Sequence, residues 1–397
     1  MNYEVSVIGL GYVGLPVALA ASKAGFKVIG IDLNNQLVGL LNKGISEITD
    51  VPSSELKDAV VANKFEASSN FALVKDSDFV LICVPTPLKE GGKPDLSFVE
   101  AATQSVAKYL KKGSVLILES TVMPGVTKGL VLPLVERFSK LKAADFHLAY
   151  SPERIDPLNK TWNITNTPKL VAGINLVSRE KAVNFYSNFV DSIIECESIE
   201  VAETAKLLEN SFRLVNISFI NELSIFCDKM GIDTGSVIKA ASTKPYGFMP
   251  FYPSIGVGGH CIPVDPVYLS RKAEELKVPQ NMINLAVEIN KKMPHHFAGK
   301  TEKVIGNLKD KKILVIGVAY KPNVVDVRES PAQELIAILR QKGAIVSWHD
   351  DLVNEWNGEK SVDLSIDFDL AIMVTPHDNL DLKKLGGVPI LNTRGSI

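Results

Sequence analysis

The stretch Val5-Ser6-Val7-Ile8-Gly9-Leu10-Gly11-Tyr12-Val13-Gly14-Leu15-Pro16 decides the fold. Residues 3–9 read as a buried strand, Gly9 to Gly14 as a G-x-G-x-x-G turn, and residues 15–24 as a helix ended by Gly25. Lys27-Val28-Ile29-Gly30-Ile31 is a second strand that closes on Asp32, about 20 residues beyond the turn. Alone, such a glycine pattern is weak. Between a strand and a helix, with an acid closing the next strand, it marks a dinucleotide-binding βαβ unit. Gly9, Gly11 and Gly14, with Tyr12 and Val13 between them, let a pyrophosphate approach the helix N-terminus. Asp32 accepts from an adenosine ribose and repels a 2′-phosphate, which favours NAD over NADP.

Further apolar runs follow. Asp78-Phe79-Val80-Leu81-Ile82-Cys83-Val84 breaks at Pro85-Thr86-Pro87, and Ser114-Val115-Leu116-Ile117-Leu118 ends in Glu119-Ser120-Thr121. His147-Leu148-Ala149-Tyr150 ends in Ser151-Pro152-Glu153-Arg154. In a parallel α/β sheet ligands bind beyond the carboxyl ends of strands, so Pro85, Thr86, Thr121 and Glu153 fall where a site forms. Each also reads as an ordinary loop residue or cap.

From about residue 198 the pattern changes to long helices, and residues 200–229 run without proline or glycine. Lys206 and Asn210 are four apart on it and share a face, ~6 Å between Cβ atoms. After the helices comes Gly256-Val257-Gly258-Gly259-His260-Cys261-Ile262-Pro263-Val264-Asp265-Pro266. Its glycines leave backbone N–H groups open to a phosphate or oxyanion. Asp265 before Pro266 reads as the N-cap of a helix, which would lower the Cys261 thiol from its free pKa of ~8.5. The same stretch also reads as a Gly/Pro-rich turn around a small buried cysteine.

After Pro294 a third pattern begins, with strands at 312–317, 344–350, 369–376 and 388–393. It echoes the first domain but carries Gly317-Val318-Ala319-Tyr320-Lys321-Pro322 in place of the triple-glycine turn, which fits a mononucleotide half-site. The expected fold class is α/β, two Rossmann-like doubly wound domains joined by a long-helix central domain. The expected boundaries are 1–197, 198–300 and 301–397.

Composition sets the outer limits. The 397 residues carry a net charge of −2, with 46% hydrophobic and 22% charged residues. That argues against nucleic-acid and anionic-membrane partners, which need a concentrated basic face. No apolar run approaches the ~20 residues of a bilayer span. With no secretory leader pattern at the start, the expected location is the cytoplasm. The four cysteines, Cys83, Cys196, Cys227 and Cys261, show no metal-ligand spacing, so no metal is expected. His295-His296 reads as surface.

Taken together these motifs resemble the UDP-sugar 6-dehydrogenases of the UDP-glucose/GDP-mannose dehydrogenase superfamily. The resemblance covers nearly the whole chain, adding Ala205-Lys206-Leu207-Leu208-Glu209-Asn210 and Arg328-Glu329-Ser330-Pro331 to the stretches above. Ser151-Pro152-Glu153-Arg154-Ile155-Asp156-Pro157, Thr243-Lys244-Pro245-Tyr246-Gly247-Phe248 and Pro250-Phe251-Tyr252-Pro253 look most like the UDP-N-acetylglucosamine branch. Ser254-Ile255 departs from the Gly-Pro usual there, which bears on the sugar and not on the reaction.

The resemblance implies that Cys261 is a nucleophile in a four-electron oxidation by NAD, through a thiohemiacetal and a thioester. It implies that Lys206 and Asn210 stabilise an alkoxide, that Asp265 holds a water or tunes Lys206, and that Glu153 with Thr121 serves thioester hydrolysis. Arg328 would reach NAD, and Lys321, Arg154, Tyr252 and Gly258 the UDP-sugar. A homodimer or higher homo-oligomer is expected through the long helix. UDP-N-acetylmannosamine and UDP-glucose are alternative substrates. A two-electron β-hydroxyacid dehydrogenase, or a nucleotide-sensing protein without activity, are the rival readings.

Overall fold

The alternation of the first strands shows why they pair on both sides. In β1 (Val5–Ile8) Val5 and Val7 face one apolar layer, while Ile8 joins Ile29, Ile82 and Leu118 in the other. A strand buried on both faces belongs inside a parallel sheet covered by helices. The structure, a computed structural model, describes residues 4–48, 50–156 and 158–395. Tyr3, at the head of the expected first strand, and Pro157, in the expected substrate motif, lie outside the described residues.

The chain forms two compact units, Met1–Leu208 and Glu209–Ile397. The first holds an eight-stranded sheet of β1, β2 (Val28–Ile31), β3 (Phe65–Ser68), β4 (Phe79–Ile82), β5 (Val115–Leu118), β6 (His147–Tyr150), β7 (Lys169–Gly173) and β8 (Ile193–Glu195). Their order is β8-β7-β6-β5-β4-β1-β2-β3, parallel except where β6 meets β7. The chain walks outward from β1 through β2 to β3, then crosses back to β4 on the other side of β1. That reversal opens a crevice at the carboxyl ends of β1 and β4, where the glycine turn sits.

The second unit holds a four-stranded parallel sheet of β9 (Lys312–Ile316), β10 (Ile345–His349), β11 (Leu370–Met373) and β12 (Ile390–Asn392), in the order β10-β9-β11-β12. The helix Asn281–Ile305 packs beside it through Met293 and Phe297. The expected change of pattern after Pro294 does not end this helix, and residue 300 lies within it. Proline offers no N–H to the carbonyl four residues back, that of Asn290. The loop residue Gly256 lies against that carbonyl, where a Cβ would come within 3.3 Å. His296, expected at the surface with His295, is turned inward, its Nε2 3.1 Å from Asp228 Oδ2.

The long helix Ile199–Met230 matches the uninterrupted run read from the sequence. Among the described residues no helix is long and apolar enough to cross a membrane, and no cluster of metal-ligating side chains occurs.

Candidate active site

In the first unit the glycine turn divides its labour. Gly9, at φ +88°, lies so near the segment after β4 that a Cβ would meet the Cys83 carbonyl oxygen at 2.7 Å. A Cβ on Gly14 would sit 1.8 Å from the Gly9 carbonyl. These two are glycines because the protein leaves no room. Gly11 has nothing within 4 Å, which leaves its backbone open to an approaching ligand. Tyr12 and Pro85 are exposed, and Val13, Thr86 and Thr121 half-buried around the same crevice.

Asp32, half-buried at the end of β2, accepts 2.9 Å hydrogen bonds from the Leu10 and Asn34 N–H groups, one on each oxygen. Each oxygen keeps acceptor capacity for a ribose hydroxyl. An open Gly11 with an oriented acid beside it fits a dinucleotide.

Beyond β5 and β6 lies a second polar group. Glu153 accepts 2.6 Å bonds from the N–H groups of Arg154 and Ile155 on Oε1, while its Oε2 is buried without a partner. A buried carboxylate oxygen left unmatched is costly, as expected where a water or substrate completes it. Arg154 instead donates from its guanidinium to the Pro168 carbonyl. Lys206 is 9% exposed, with no hydrogen bond or ion pair among the described residues. Thr121 heads a segment held by the long helix: Glu203 accepts from Gly125 N (2.6 Å), Thr127 N (3.0 Å) and Thr127 Oγ1 (2.7 Å).

Sequence reasoning treated Glu119 only as part of a motif. It is 1% exposed, lies 3.2 Å from Lys169 Nζ, and accepts from the Tyr186 hydroxyl. Burial pushes its carboxyl up despite Lys169, and the charge of Glu153 pushes the same way. The partners Lys169 and Tyr186 arrive from strand and helix some 50 and 67 residues later, a separation no local pattern encodes.

In the second unit the loop before the helix Asp265–Glu275 carries the thiol. Cys261 is half-buried, and its carbonyl accepts from Val264 N (3.1 Å) and Asp265 N (2.8 Å), one turn ahead of the helix body. The expected N-cap at Asp265 is corrected. Val264 is the cap, Asp265 the first helical residue, and Pro266 follows it. Asp265, 3% exposed, instead accepts from Asn210 Nδ2 at 2.6 Å, because the long helix presents an amide there.

The loop glycines also have a protein reason. A Cβ on Gly258 would meet the Glu329 carbonyl at 2.8 Å and Tyr320 at 2.9 Å, and one on Gly259 the Tyr320 ring at 2.8 Å. Gly259 N–H is donated to the Arg328 carbonyl at 3.2 Å and is not free for an anion. Asn290, unnoticed in the sequence, accepts from Val257 N at 2.6 Å and so holds the loop.

Arg328, half-exposed, grips Asp326 through Nε at 2.9 and 3.0 Å. Burial alone would raise the Asp326 carboxyl, but the Arg328 hydrogen bonds outweigh it and hold it below its ordinary value. Tyr252 is exposed and Lys321 half-buried.

The turn after β9 repeats the one after β1. Gly317 has φ +85°, and a Cβ on it would lie 2.0 Å from the Thr375 carbonyl. Asp350 closes β10 as Asp32 closes β2, accepting from Val318 N at 2.8 Å and Ala319 N at 3.1 Å. Its other oxygen takes Leu352 N and Val353 N and lies 3.1 Å from His377 Nε2. This acid has no capacity left for a ribose, as expected of a half-site.

Comparison with known proteins matches three stretches of the chain. Family models match residues 3–190 (UDP-glucose/GDP-mannose dehydrogenase family, NAD binding domain), 200–292 (its central domain) and 314–393 (its UDP binding domain). The chain belongs to the UDP-glucose/GDP-mannose dehydrogenase family. Similar relatives include the Pseudomonas aeruginosa UDP-N-acetyl-D-glucosamine 6-dehydrogenase, 36% identical over 89% of this chain and 84% of its own. The Campylobacter jejuni UDP-N-acetyl-D-mannosamine dehydrogenase is also 36% identical, over 86% and 84%. The solved UDP-D-ManNAc dehydrogenase of Pyrococcus horikoshii superposes with a TM-score of 0.90 at 30% identity, over 98% of this chain and 95% of that one. As a family member this protein is an NAD-dependent UDP-sugar dehydrogenase, an oxidoreductase with the expected α/β fold.

Proposed function

We propose that this dehydrogenase oxidises the C6 hydroxyl of UDP-N-acetylglucosamine to the carboxylate through a thiohemiacetal and a thioester on Cys261. The observation that carries the reading is the Asn210–Asp265 hydrogen bond of 2.6 Å, one helical turn past Cys261. It brings a buried amide and carboxylate to the base of the cysteine loop, where an oxyanion and a water need holding. NAD, when bound along Gly9, Gly11 and Gly14 with Asp32 at its ribose, supplies the acceptor for each of two hydrides. Pro85, Thr86 and Thr121 border it, and Arg328 contributes from its loop.

Lys206, buried without an anion, stabilises the alkoxide that forms at C6. Asn210 donates to the same oxygen, Asp265 orients Asn210, and Cys261 grips the aldehyde. Glu153, with one carboxylate oxygen unmatched, takes a proton from the water that cleaves the thioester, with Thr121 beside it. Lys321, Arg154, Tyr252 and Gly258 contact the UDP-sugar. The functional division is 1–197 for NAD, 198–300 for catalysis and dimerisation, and 301–397 for UDP.

Relatives named for both N-acetylhexosamines are equally similar. The loop wording at 151–157 and 243–253 favours the glucosamine form. The Ser254-Ile255 departure is absorbed by packing: Ile255 is 1% exposed beside Met293 and Phe297, and Ser254 N–H bonds Asn221 at 2.8 Å. With four free cysteines the enzyme suits a reducing compartment, the cytoplasm.

A spectrophotometric panel of UDP-N-acetylglucosamine, UDP-N-acetylmannosamine, UDP-N-acetylgalactosamine and UDP-glucose, counting NADH per sugar consumed, tests the reading. Two per sugar, with the glucosamine form fastest, is expected. One per sugar would end the thioester route, and faster turnover of another sugar would reassign the substrate.

A further inference from the structure

His260 and Cys261 are neighbours in sequence whose side chains nevertheless meet, Nδ1 of His260 lying 3.1 Å from Sγ of Cys261. Successive side chains point to opposite faces of a strand and diverge by about 100° around a helix, so such a contact needs an unusual backbone. Gly259 at φ +84°, wedged against the Tyr320 ring, and the turn from Cys261 to Asp265 supply it. His260 also acts electrostatically on Asp326, in the loop after β9. After burial, which acts the other way, and the Arg328 hydrogen bonds, the charge of His260 is among the effects holding Asp326 ionised.

We propose that His260 is a catalytic residue whose Nδ1 takes the Cys261 thiol proton before the aldehyde is attacked, so that a thiolate adds to it, with Asp326 opposing the imidazolium charge. The inference rests on the reading of Cys261 as the nucleophile. In this step the S–H bond breaks and its proton moves to Nδ1. An S–C bond forms, and the carbonyl π pair moves onto oxygen. The step changes no oxidation state and so needs no acceptor; NAD, when bound, would supply the acceptor for the oxidation that follows. The arrangement follows the logic of nucleophile, base and a third group opposing the base's charge. The titratable groups that the described contacts place near the pair include Asp326 with its partner Arg328, Tyr320 against Gly259, and Asp265, whose N–H reaches the Cys261 carbonyl.

The test is the pH dependence of Cys261 alkylation by iodoacetamide, followed by mass spectrometry on the full chain and on His260→Gln and His260→Ala. A thiolate paired with an imidazolium reacts at pH 6, where an isolated thiol of pKa ~8.5 hardly does. The native chain is expected to show that low-pH reactivity, and both variants to lose it, with at least ~10-fold slower alkylation at pH 7. A native profile with a single step near the free-thiol value overturns the proposal without any variant. So do variants of native melting temperature whose profiles match the native one. Retention of two NADH per sugar by Cys261→Ala would instead sink the nucleophile reading while leaving the native alkylation profile unaffected, so the two failures are separable.

Discussion

At the scale of single residues, identical letters do different work. Gly14 and Gly11 both belong to one recognisable turn, yet a methyl group meets a carbonyl at 1.8 Å at the first and open space at the second. Gly14→Ala should therefore cost upward of ~4 kcal/mol and prevent accumulation of folded protein. Gly11→Ala should melt like the native chain but bind NAD at least ~10-fold more weakly, about 1.4 kcal/mol. Thermal melts and NAD titration of the two variants check this, and a Gly11→Ala chain with native affinity would remove the cofactor from that turn. The glycine pattern was legible because its spacing is local. The use of Asp265 was not: an acid before proline looks like a helix cap, and only the arrival of Asn210 from a helix 55 residues earlier changes its role.

At the scale of elements, legibility followed length and alternation. The 32-residue helix Ile199–Met230 announced itself by lacking proline and glycine. Strands β3, β7 and β8 escaped notice: Phe65-Glu66-Ala67-Ser68 is a half-polar four-residue run, Lys169-Leu170-Val171-Ala172-Gly173 opens on a lysine and closes on a glycine, and Ile193-Ile194-Glu195 is three residues at a sheet edge. Pro294 misled in the other direction, since a carbonyl beside a docked loop can forgo its helical partner. On the long helix Phe212, Phe219 and Phe226 recur every seven residues and are 46, 60 and 56% exposed. Phe212 also packs edge-on against Phe251, and a half-exposed stripe at this spacing is suited to docking by a second copy of the helix. In sedimentation velocity the native chain should run as a dimer and Phe219→Asp as a monomer. A monomeric native chain would leave the stripe without that explanation.

At the scale of the whole molecule, the plan that sequence alone suggested, a turn used twice, is present in atomic detail at Gly9 with Asp32 and at Gly317 with Asp350. What could not be read was how the second copy disposes of its acid, because His377 comes from beyond another strand. Burial alone would raise the Asp350 carboxyl, but His377 and the Leu352 and Val318 N–H groups outweigh it and lower it to about 2. A carboxyl lowered by folding contributes stability that is complete above its unfolded value, near pH 4, and lost as the pH falls through 2. Asp350→Asn should thus cost about 2 kcal/mol at pH 7, and the gap to the native chain should close between pH 4 and pH 2. Urea unfolding at both ends of that range measures it, and a gap that stays constant would rule out the linkage.

The two acids are therefore exposed to different kinds of selection. A change at position 32 alters which dinucleotide an otherwise sound enzyme accepts, so it can be tuned by drift between cofactors. A change at position 350 is judged by survival of the fold alone, and reviving a second dinucleotide pocket there would require replacing His377 as well as restoring glycines. A saturation library scored separately for cellular abundance and for NAD use should split along that line, with position 350 moving abundance and position 32 moving cofactor use more than abundance.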